Sequence, residues 1–374
     1  MFVSHQHSLS LYSNRDARPL FCSAAIELKM RTKVLKELGE GKTSFIEQFV
    51  DLNDKNVVVV STTTPFNIEN YNGDIDALVN LAKVNDMRFI NKFFEAVNDR
   101  LENKGYLIVC FESLTARRER LRVGKIPILK NLYFSLEFLF LRVAPKVWGL
   151  KKIYFLITRG RNRLLSKAEV LGRLVSCGFE IVDYNSFRGT SFVVSRKLKA
   201  PDFNFEPSYG PLFRMKRVGK FGKIIRVYKF RTMHPYAEYL QDYVIGLHGY
   251  ASTGKPENDF RLTPWGRVMR RFWLDELPQI LNVIKGDMKL VGIRPVSETY
   301  FNNSIPEELR EMRKRHKPGC IPPYVALNRK ASVEEVLKAE RDYMIEKEKR
   351  PYTTDTRYFF KALFNIVFRG KRSA

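Results

Sequence analysis

Several things are scarce in this chain of 374 residues. Its four cysteines, Cys22, Cys110, Cys177 and Cys320, lie far apart and form no CxxC pair. That spacing excludes a zinc knuckle and a disulfide framework, and a reducing compartment is the simpler setting. The five histidines are equally scattered, with no HExxH pattern that would put two imidazoles on one helical face. No stretch of about 18 uncharged apolar residues occurs, so an ordinary transmembrane span is not expected. Met1 to Asp16 mixes Ser, His, Tyr and Asn and has no apolar centre, so it does not read as a secretory leader. There is no internal repeat and no low-complexity tract.

Acidic residues are the other shortage. Lysine and arginine number 65 against 40 aspartates and glutamates, a formal net charge of +25. Such a surplus favours anionic partners: nucleic acid, an anionic membrane surface or phosphorylated substrates. A basic solvated face would give the same bulk figure, so the location of the charge has to decide.

The first half alternates short apolar runs with helical periodicity. Val57-Val58-Val59-Val60 reads as a buried strand closed by Ser61 and Pro65. Phe89, Ile90, Phe93, Phe94, Val97 and Leu101 follow at helical spacing, and Asn103-Lys104-Gly105 is expected to end that helix. Tyr106 to Phe111 reads as the next strand. Ser166 with Glu169 makes a capping box for a helix ending near Gly178, and Phe179 to Val182 returns as strand. This alternation predicts a Rossmann-like α/β domain over residues 1–200. Ala200 to Pro211, with Pro201, Pro207, Gly210 and Pro211, reads as the boundary, and 201–374 as a second, mixed α+β domain.

One stretch of the first half stands apart. Ile126 to Thr158 is rich in Leu, Phe, Tyr and Ile, but Lys130, Glu137, Arg142, Lys146 and Lys151-Lys152 interrupt it and Pro145 breaks it. The pattern fits an amphipathic segment lying on a membrane and fits a pair of core-facing helices equally well. The final helical pattern, Arg357 to Arg369, flanked by Lys371 and Arg372, has the same two readings.

The chemistry concentrates between Arg214 and Pro295. Arg214, Lys216, Arg217, Lys220, Lys223, Arg226, Lys229 and Arg231 fall in one short stretch without an acid, punctuated by Gly219 and Gly222. That predicts a basic hairpin, either a phosphate-binding wall or a solvated face. Arg261, Arg267, Arg270 and Arg271 follow, and then Asp275-Glu276. Arginine presents a planar fork of donors suited to phosphate oxygens. Beside it, one carboxylate can attack or accept a proton while the other holds a hard cation such as Mg²⁺. The plain alternative is an acidic first helical turn ahead of Pro278. Lys285-Gly286-Asp287 reads as a turn, and Leu290 to Pro295 as a strand running into a rigid turn, with Arg294 a further phosphate ligand. A zinc finger and a recognisable RNP motif are both missing, which argues against nucleic acid as the partner.

These residues resemble a known family in an ordered run. Lys216 to Gly219 with Gly222-Lys223 resembles its "RVGKNGK" element, and Tyr228 to Met233 its "YKFRTM". Asp259 to Thr263 with Gly266-Arg267 resembles "DxRxTxxGR", and Leu274 to Gln279 matches "LDELPQ". Asn282 to Val291 and Gly292 to Pro295 continue the run. The family is that of the bacterial sugar transferases, the monotopic polyprenyl-phosphate phosphoglycosyl transferases. The resemblance covers about the last 165 residues. It implies transfer of a sugar 1-phosphate from a nucleoside diphosphate sugar, a UDP-sugar above all, to polyprenyl phosphate. It further implies work at a membrane surface, the cytoplasmic face of the bacterial inner membrane, to initiate capsule, O-antigen or exopolysaccharide synthesis. Carried over by position, Asp275 is the nucleophile that forms a covalent phosphosugar, and Glu276 the Mg²⁺ ligand. Lys229, Arg231, Arg267, Arg270 and Arg294 become substrate and phosphate contacts, and Asp342 matches an acidic position near the site.

Three departures accompany the resemblance. The family's membrane-embedded helix before "GPxF" is replaced by a polar linker ahead of Gly210-Pro211-Leu212-Phe213. The "KPGITG" element reads Lys317-Pro318-Gly319-Cys320-Ile321-Pro322-Pro323, and Trp273 stands where a small polar residue is usual. The first departure leaves a second reading open, a binding or regulatory protein of a glycan assembly complex that kept the fold. More loosely, Leu101 to Phe111 and Ser166 to Val182 resemble the later part of class I methyltransferases. The glycine-rich loop that lets a cofactor approach the backbone after the first strand is missing. A degenerate, non-catalytic scaffolding or docking domain is therefore expected.

Overall fold

The computed structural model describes residues 38–121, 127–146, 149–187, 189–201, 210–249 and 258–370. The expectations for Met1 to Asp16, for most of the 200–211 linker and for Lys371-Arg372 lie outside the described residues. The chain divides into two compact units, Met1–Leu52 and Asn53–Ala374. In the first, a helix over Glu40–Glu47 buries Phe45 and Ile46.

The second unit opens with a mixed five-stranded sheet of order β1-β2-β3-β5-β4. Strands β1 (Val57–Val60), β2 (Ile75–Lys83) and β3 (Leu101–Phe111) run parallel, and β5 (Thr190–Lys197) lies antiparallel between β3 and β4 (Phe179–Phe187). The β-branched side chains of β1 are stiff and suit a pleated surface. In β3, Leu107, Ile108, Val109 and Phe111 are all fully buried, the continuous apolar run of a strand covered on both faces. The helix Ile90–Arg100 covers it with Phe93, Phe94 and Val97, which share one face. The expected mixed α/β architecture is present.

Two local readings change. The helix does not run on to Asn103-Lys104-Gly105, because β3 starts directly at Leu101. Ile75 pairs with Leu101 and Ala77 with Tyr106, so the polar residues between bulge out, with Lys104 at φ 65°. Ser166 does cap Lys167–Ser176, its hydroxyl accepting from the Glu169 N–H at 3.2 Å. The Glu169 carboxylate, however, turns inward to Arg142 and Arg173, at 3.2 and 2.9 Å.

The amphipathic stretch forms two helices, Pro127–Phe138 and Leu150–Thr158, joined through a π turn, Leu139–Val143, and a 3-10 turn, Ala144–Lys146. The break falls at Pro145, where a helix loses a donor and meets a ring clash. No helix among the described residues is long and apolar enough to cross a membrane.

Downstream, β6 (Leu212–Val218) and β7 (Ile224–Phe230) pair antiparallel, as the basic hairpin predicts. Phe221 and Gly222 turn the chain with φ 59° and 72°. Strands β8 (Lys289–Val291) and β9 (Gly319–Ile321) pair parallel. The helices Val333–Lys349 and Thr354–Arg369 close a second core around Tyr324, Tyr343, Met344 and Tyr358. The two cores are interlocked, since Leu240 and Val244 from after β7 are buried in the first core. Tyr236 seals the joint: its hydroxyl accepts from Asn91 at 2.9 Å, and a side chain at Gly172 would sit 2.3 Å from its carbonyl oxygen.

Candidate active site

The site is built where β7 meets the segment after Arg271. Asn282, fully buried, clamps that segment to the strand: its Oδ1 accepts from the Tyr228 N–H at 3.0 Å and its Nδ2 donates to the Arg226 carbonyl at 2.8 Å. One side chain thus satisfies two backbone groups and sets the height of the Ile280–Ile284 helix over β7. Lys229, next in β7, is held beneath the carboxylate pair.

The pair itself sits in a 3-10 helix, Leu274–Gln279, and not at the start of an α-helix. Trp273 enters it in the left-handed region, φ 61°, a conformation that costs a bulky residue about 1 kcal/mol. That reversal turns Asp275 inward, where it is 9% exposed. Lys229 Nζ donates to Glu276 Oε1 at 2.7 Å, and Gln279 Nε2 donates to Oε2 at 3.0 Å. Burial pushes the Asp275 carboxyl above its ordinary range and the Glu276 charge adds to this, while Lys229 and Arg270 pull it back down. The four groups form one electrostatic unit.

The arginine-rich segment before the pair has divided duties. Thr263 caps the helix Pro264–Arg271, its Oγ1 accepting from the Gly266 N–H at 2.9 Å and donating to the Thr232 carbonyl at 2.8 Å. Arg261, 2% exposed, is spent on the fold: it grips Asp259 with two bonds of 2.8 Å and donates to Gln241. Arg270 instead reaches inward, its Nε donating to Thr232 Oγ1 at 3.0 Å. Burial presses its guanidinium down, and Asp275 and Asp259 offset that.

The remaining expected residues are spread around this centre. Arg231 donates from Nε to the Gly210 carbonyl at 3.0 Å and stacks over Phe213. Arg294 is fixed through its backbone, whose N–H donates to Glu340 at 2.7 Å and whose carbonyl accepts from Arg313 at 2.6 Å. Its charge, after burial, depresses the Arg217 guanidinium, which places those two cations together. Arg267 is exposed on the outer side of its helix. Asp342 accepts from Arg329 at 2.7 Å on the 333–349 helix, against the second core. Gln279, Thr232 and Asn282 carry much of the geometry. In the sequence Gln279 and Asn282 stand only as motif letters, and their signal is an amide side chain inside an otherwise apolar run. Cys320, on β9, is pushed up to about 12 by burial and by the Glu276 charge, so the altered "KPG" element borders the pair.

Among the described residues no group of three or more His, Cys, Asp or Glu is placed to hold a metal ion. Two neighbouring carboxylates are present, and each Glu276 oxygen keeps a lone pair beyond the donor it already has. That donor set fits Mg²⁺ of the kind shared with a diphosphate, which takes one or two protein carboxylates and completes its shell from phosphate and water.

Residues 203–369 match the bacterial sugar transferase family model. The resemblance read from the motifs is thereby borne out over the C-terminal half. Galactosyl transferase CpsE of Streptococcus agalactiae is 37% identical over 143 residues, covering 37% of this chain and 31% of the relative. Undecaprenyl-phosphate galactose phosphotransferase of Salmonella typhimurium is 43% identical over 93 residues, 23% of this chain and 20% of the relative. UDP-glucose:undecaprenyl-phosphate glucose-1-phosphate transferase of Escherichia coli is 33% identical over 224 residues, 56% of this chain and 41% of the relative. The chain spans less than half the length of these three relatives. Among solved structures, magnesium protoporphyrin IX methyltransferase of Synechocystis aligns with a TM-score of 0.20 at 15% identity, covering 35% of this chain and 48% of that one. A likeness that weak carries no argument, and the character of the first sheet rests on its strand order.

Proposed function

We propose that this chain transfers a sugar 1-phosphate from a UDP-type nucleoside diphosphate sugar to polyprenyl phosphate, as the first membrane step of a surface glycan. The observation that carries it is Asp275, buried and facing Lys229, Arg270 and the anchored Glu276. The names of the Salmonella and Escherichia relatives, which specify undecaprenyl phosphate and a sugar phosphate, support the substrate class.

In this reading an ionised Asp275 oxygen attacks the phosphorus that bears the sugar. The bond to the bridging oxygen breaks and leaves with the nucleoside monophosphate. The aspartyl-phosphosugar is then attacked by a phosphate oxygen of polyprenyl phosphate, which forms the lipid diphosphate sugar and returns Asp275 as carboxylate. Splitting one hard displacement into two is the gain from covalent catalysis. Arg270 neutralises charge on the transferring group, and Lys229 holds Glu276 in one rotamer. Glu276, with Asp275 beside it, would hold Mg²⁺, which supplies further charge neutralisation at the diphosphate. Arg231 and Arg294 are assigned to substrate phosphates by their place in the motifs, and work at the cytoplasmic face of the inner membrane fits a nucleotide-sugar donor. In the N-terminal sheet, the loop after β1 is closed on Asn80, which bonds both the Thr62 N–H and carbonyl, at 3.1 and 2.9 Å. We read that half as a scaffold.

The test is nucleoside monophosphate release from UDP-sugars with polyprenyl phosphate, on wild type and Asp275→Asn. Loss of release together with loss of a trapped labelled phosphosugar adduct is expected. Equal turnover by the two proteins would sink the nucleophile assignment.

A further inference from the structure

Two helices of the N-terminal half turn their apolar stripe to solvent. In Pro127–Phe138, Leu129, Leu132 and Leu136 recur at helical spacing and are 56, 55 and 57% exposed, and the stripe runs on through Leu139 and Phe140. Leu150–Thr158 repeats the pattern with Leu150, Ile153, Leu156 and Ile157, Leu156 being 81% exposed. The inward positions are filled by Phe134 and Tyr154, which are buried. Phe140 packs edge-on to Tyr154 at 5.7 Å, which joins the two helices. A globular helix normally aims such a stripe at the core, and contiguous apolar surface left outside marks an interaction site.

On the first helix the Glu137 carboxylate is turned in and held by Arg117 at 2.8 Å, and the charges beside the second helix are all positive. Lys151, Lys152 and Arg159 ring an open cleft beside the second helix together with Arg88, and Lys92 lines the adjoining one. No carboxylate is among the described residues lining either cleft. The apolar surface also continues toward the catalytic carboxylates. Phe138 packs against Trp265 at 5.0 Å, and Trp265, Val268 and Phe272 are exposed along the helix that leads to Asp275.

We propose that the 127–138 and 150–158 helices dock this chain on an anionic bilayer surface. The apolar stripe enters the acyl boundary, and the basic clefts take headgroup phosphates. A second copy of this chain fits poorly, because it would bring Lys151, Lys152 and Arg159 against their own like charges. A lipid surface complements both halves of the pattern, the apolar stripe and the basic rim. The proposal goes beyond the transfer reading by naming the docking element and the charge of the lipid.

Flotation of the full chain with phosphatidylcholine vesicles, with and without phosphatidylglycerol, tests it. Wild type is expected to float with the anionic vesicles. Lys151→Gln with Lys152→Gln should weaken that binding by roughly thirtyfold at low salt. Ile153→Asn with Leu156→Asn should weaken it by more than about tenfold. All four positions are exposed, so circular dichroism and the melting temperature should stay at wild-type values. Three results would each overturn the proposal. Wild type could stay in the soluble fraction with anionic vesicles. Both double variants could float as wild type does. Wild type could self-associate without lipid and be dissociated by the apolar substitutions. Nucleotide release with a water-soluble short-chain polyprenyl phosphate is read in parallel. Vesicle binding without any release would remove the transfer reading and leave the docking element standing.

Discussion

Lys229 Nζ stands 2.7 Å from Glu276 Oε1, across from Gln279 on the other carboxylate oxygen. The ammonium comes from β7 and the carboxylate from the 3-10 helix after Trp273. The bond therefore links the basic hairpin to the carboxylate pair, and both partners are only about one-fifth exposed, at 20 and 18%. A charge-assisted bond at such a site orients its groups more than it stabilises the fold.

Lys229→Met removes that orientation and one positive neighbour of Asp275. Nucleoside monophosphate release should fall by about tenfold to a hundredfold, the scale of a lost hydrogen bond to a charged group. Melting should change little. Steady-state kinetics beside differential scanning calorimetry separate the two effects.

Asp275 predicts a pH dependence with a definite sign. Its carboxyl is raised by burial, so the native state holds that proton more tightly than the unfolded chain does. The associated stability is present at pH below the ordinary aspartate value and is lost as pH rises through the raised one. Asp275→Asn should therefore melt at a higher temperature than wild type at neutral pH, with the gap closing in acid. On the proposed mechanism the wild-type rate should climb through the same raised value, because an attacking carboxylate must be ionised. A melting series and a pH–rate profile check both.

Gly266 answers for its place in the motif by space. A Cβ there would lie 2.1 Å from the Thr232 carbonyl oxygen and 2.7 Å from Thr263 Oγ1. Gly266→Ala should push the 264–271 helix off Thr232, cost about 1–3 kcal/mol in urea denaturation, and lower activity through Arg270.

Arg142 is buried at the π turn between the amphipathic helices and reaches His234, three residues past Arg231. It donates to the Leu164 carbonyl at 2.7 Å and pairs with Glu169 at 3.2 Å. Arg142→Met should cost about 1–3 kcal/mol, since the buried Glu169 carboxylate keeps Arg173 but loses its second cation, and the Leu164 carbonyl loses its donor. Chemical denaturation measures the loss. A variant as stable as wild type would show that the network adds nothing to folding.

Much of this protein is decided by short-range chemistry. The β-branched run of β1, the Ser166 cap and the glycine-punctuated basic hairpin follow from neighbouring residues alone, because strand period, capping and turn geometry are properties of a few consecutive positions. The Asp275-Glu276 pair and the cations around it were visible for the same reason. The interior of β3 was harder: its polar 102–105 stretch looks like a helix end, and only pairing with β2 makes it a bulge. Tertiary structure alone decided which carboxylate is buried, which oxygen of Glu276 takes Lys229, and that Asp342 pairs with Arg329. It also decided the outward aim of the 127–158 stripe. Helical period marks an apolar face but carries no information about what covers it; that depends on Phe134 and Tyr154 having already taken the inward positions.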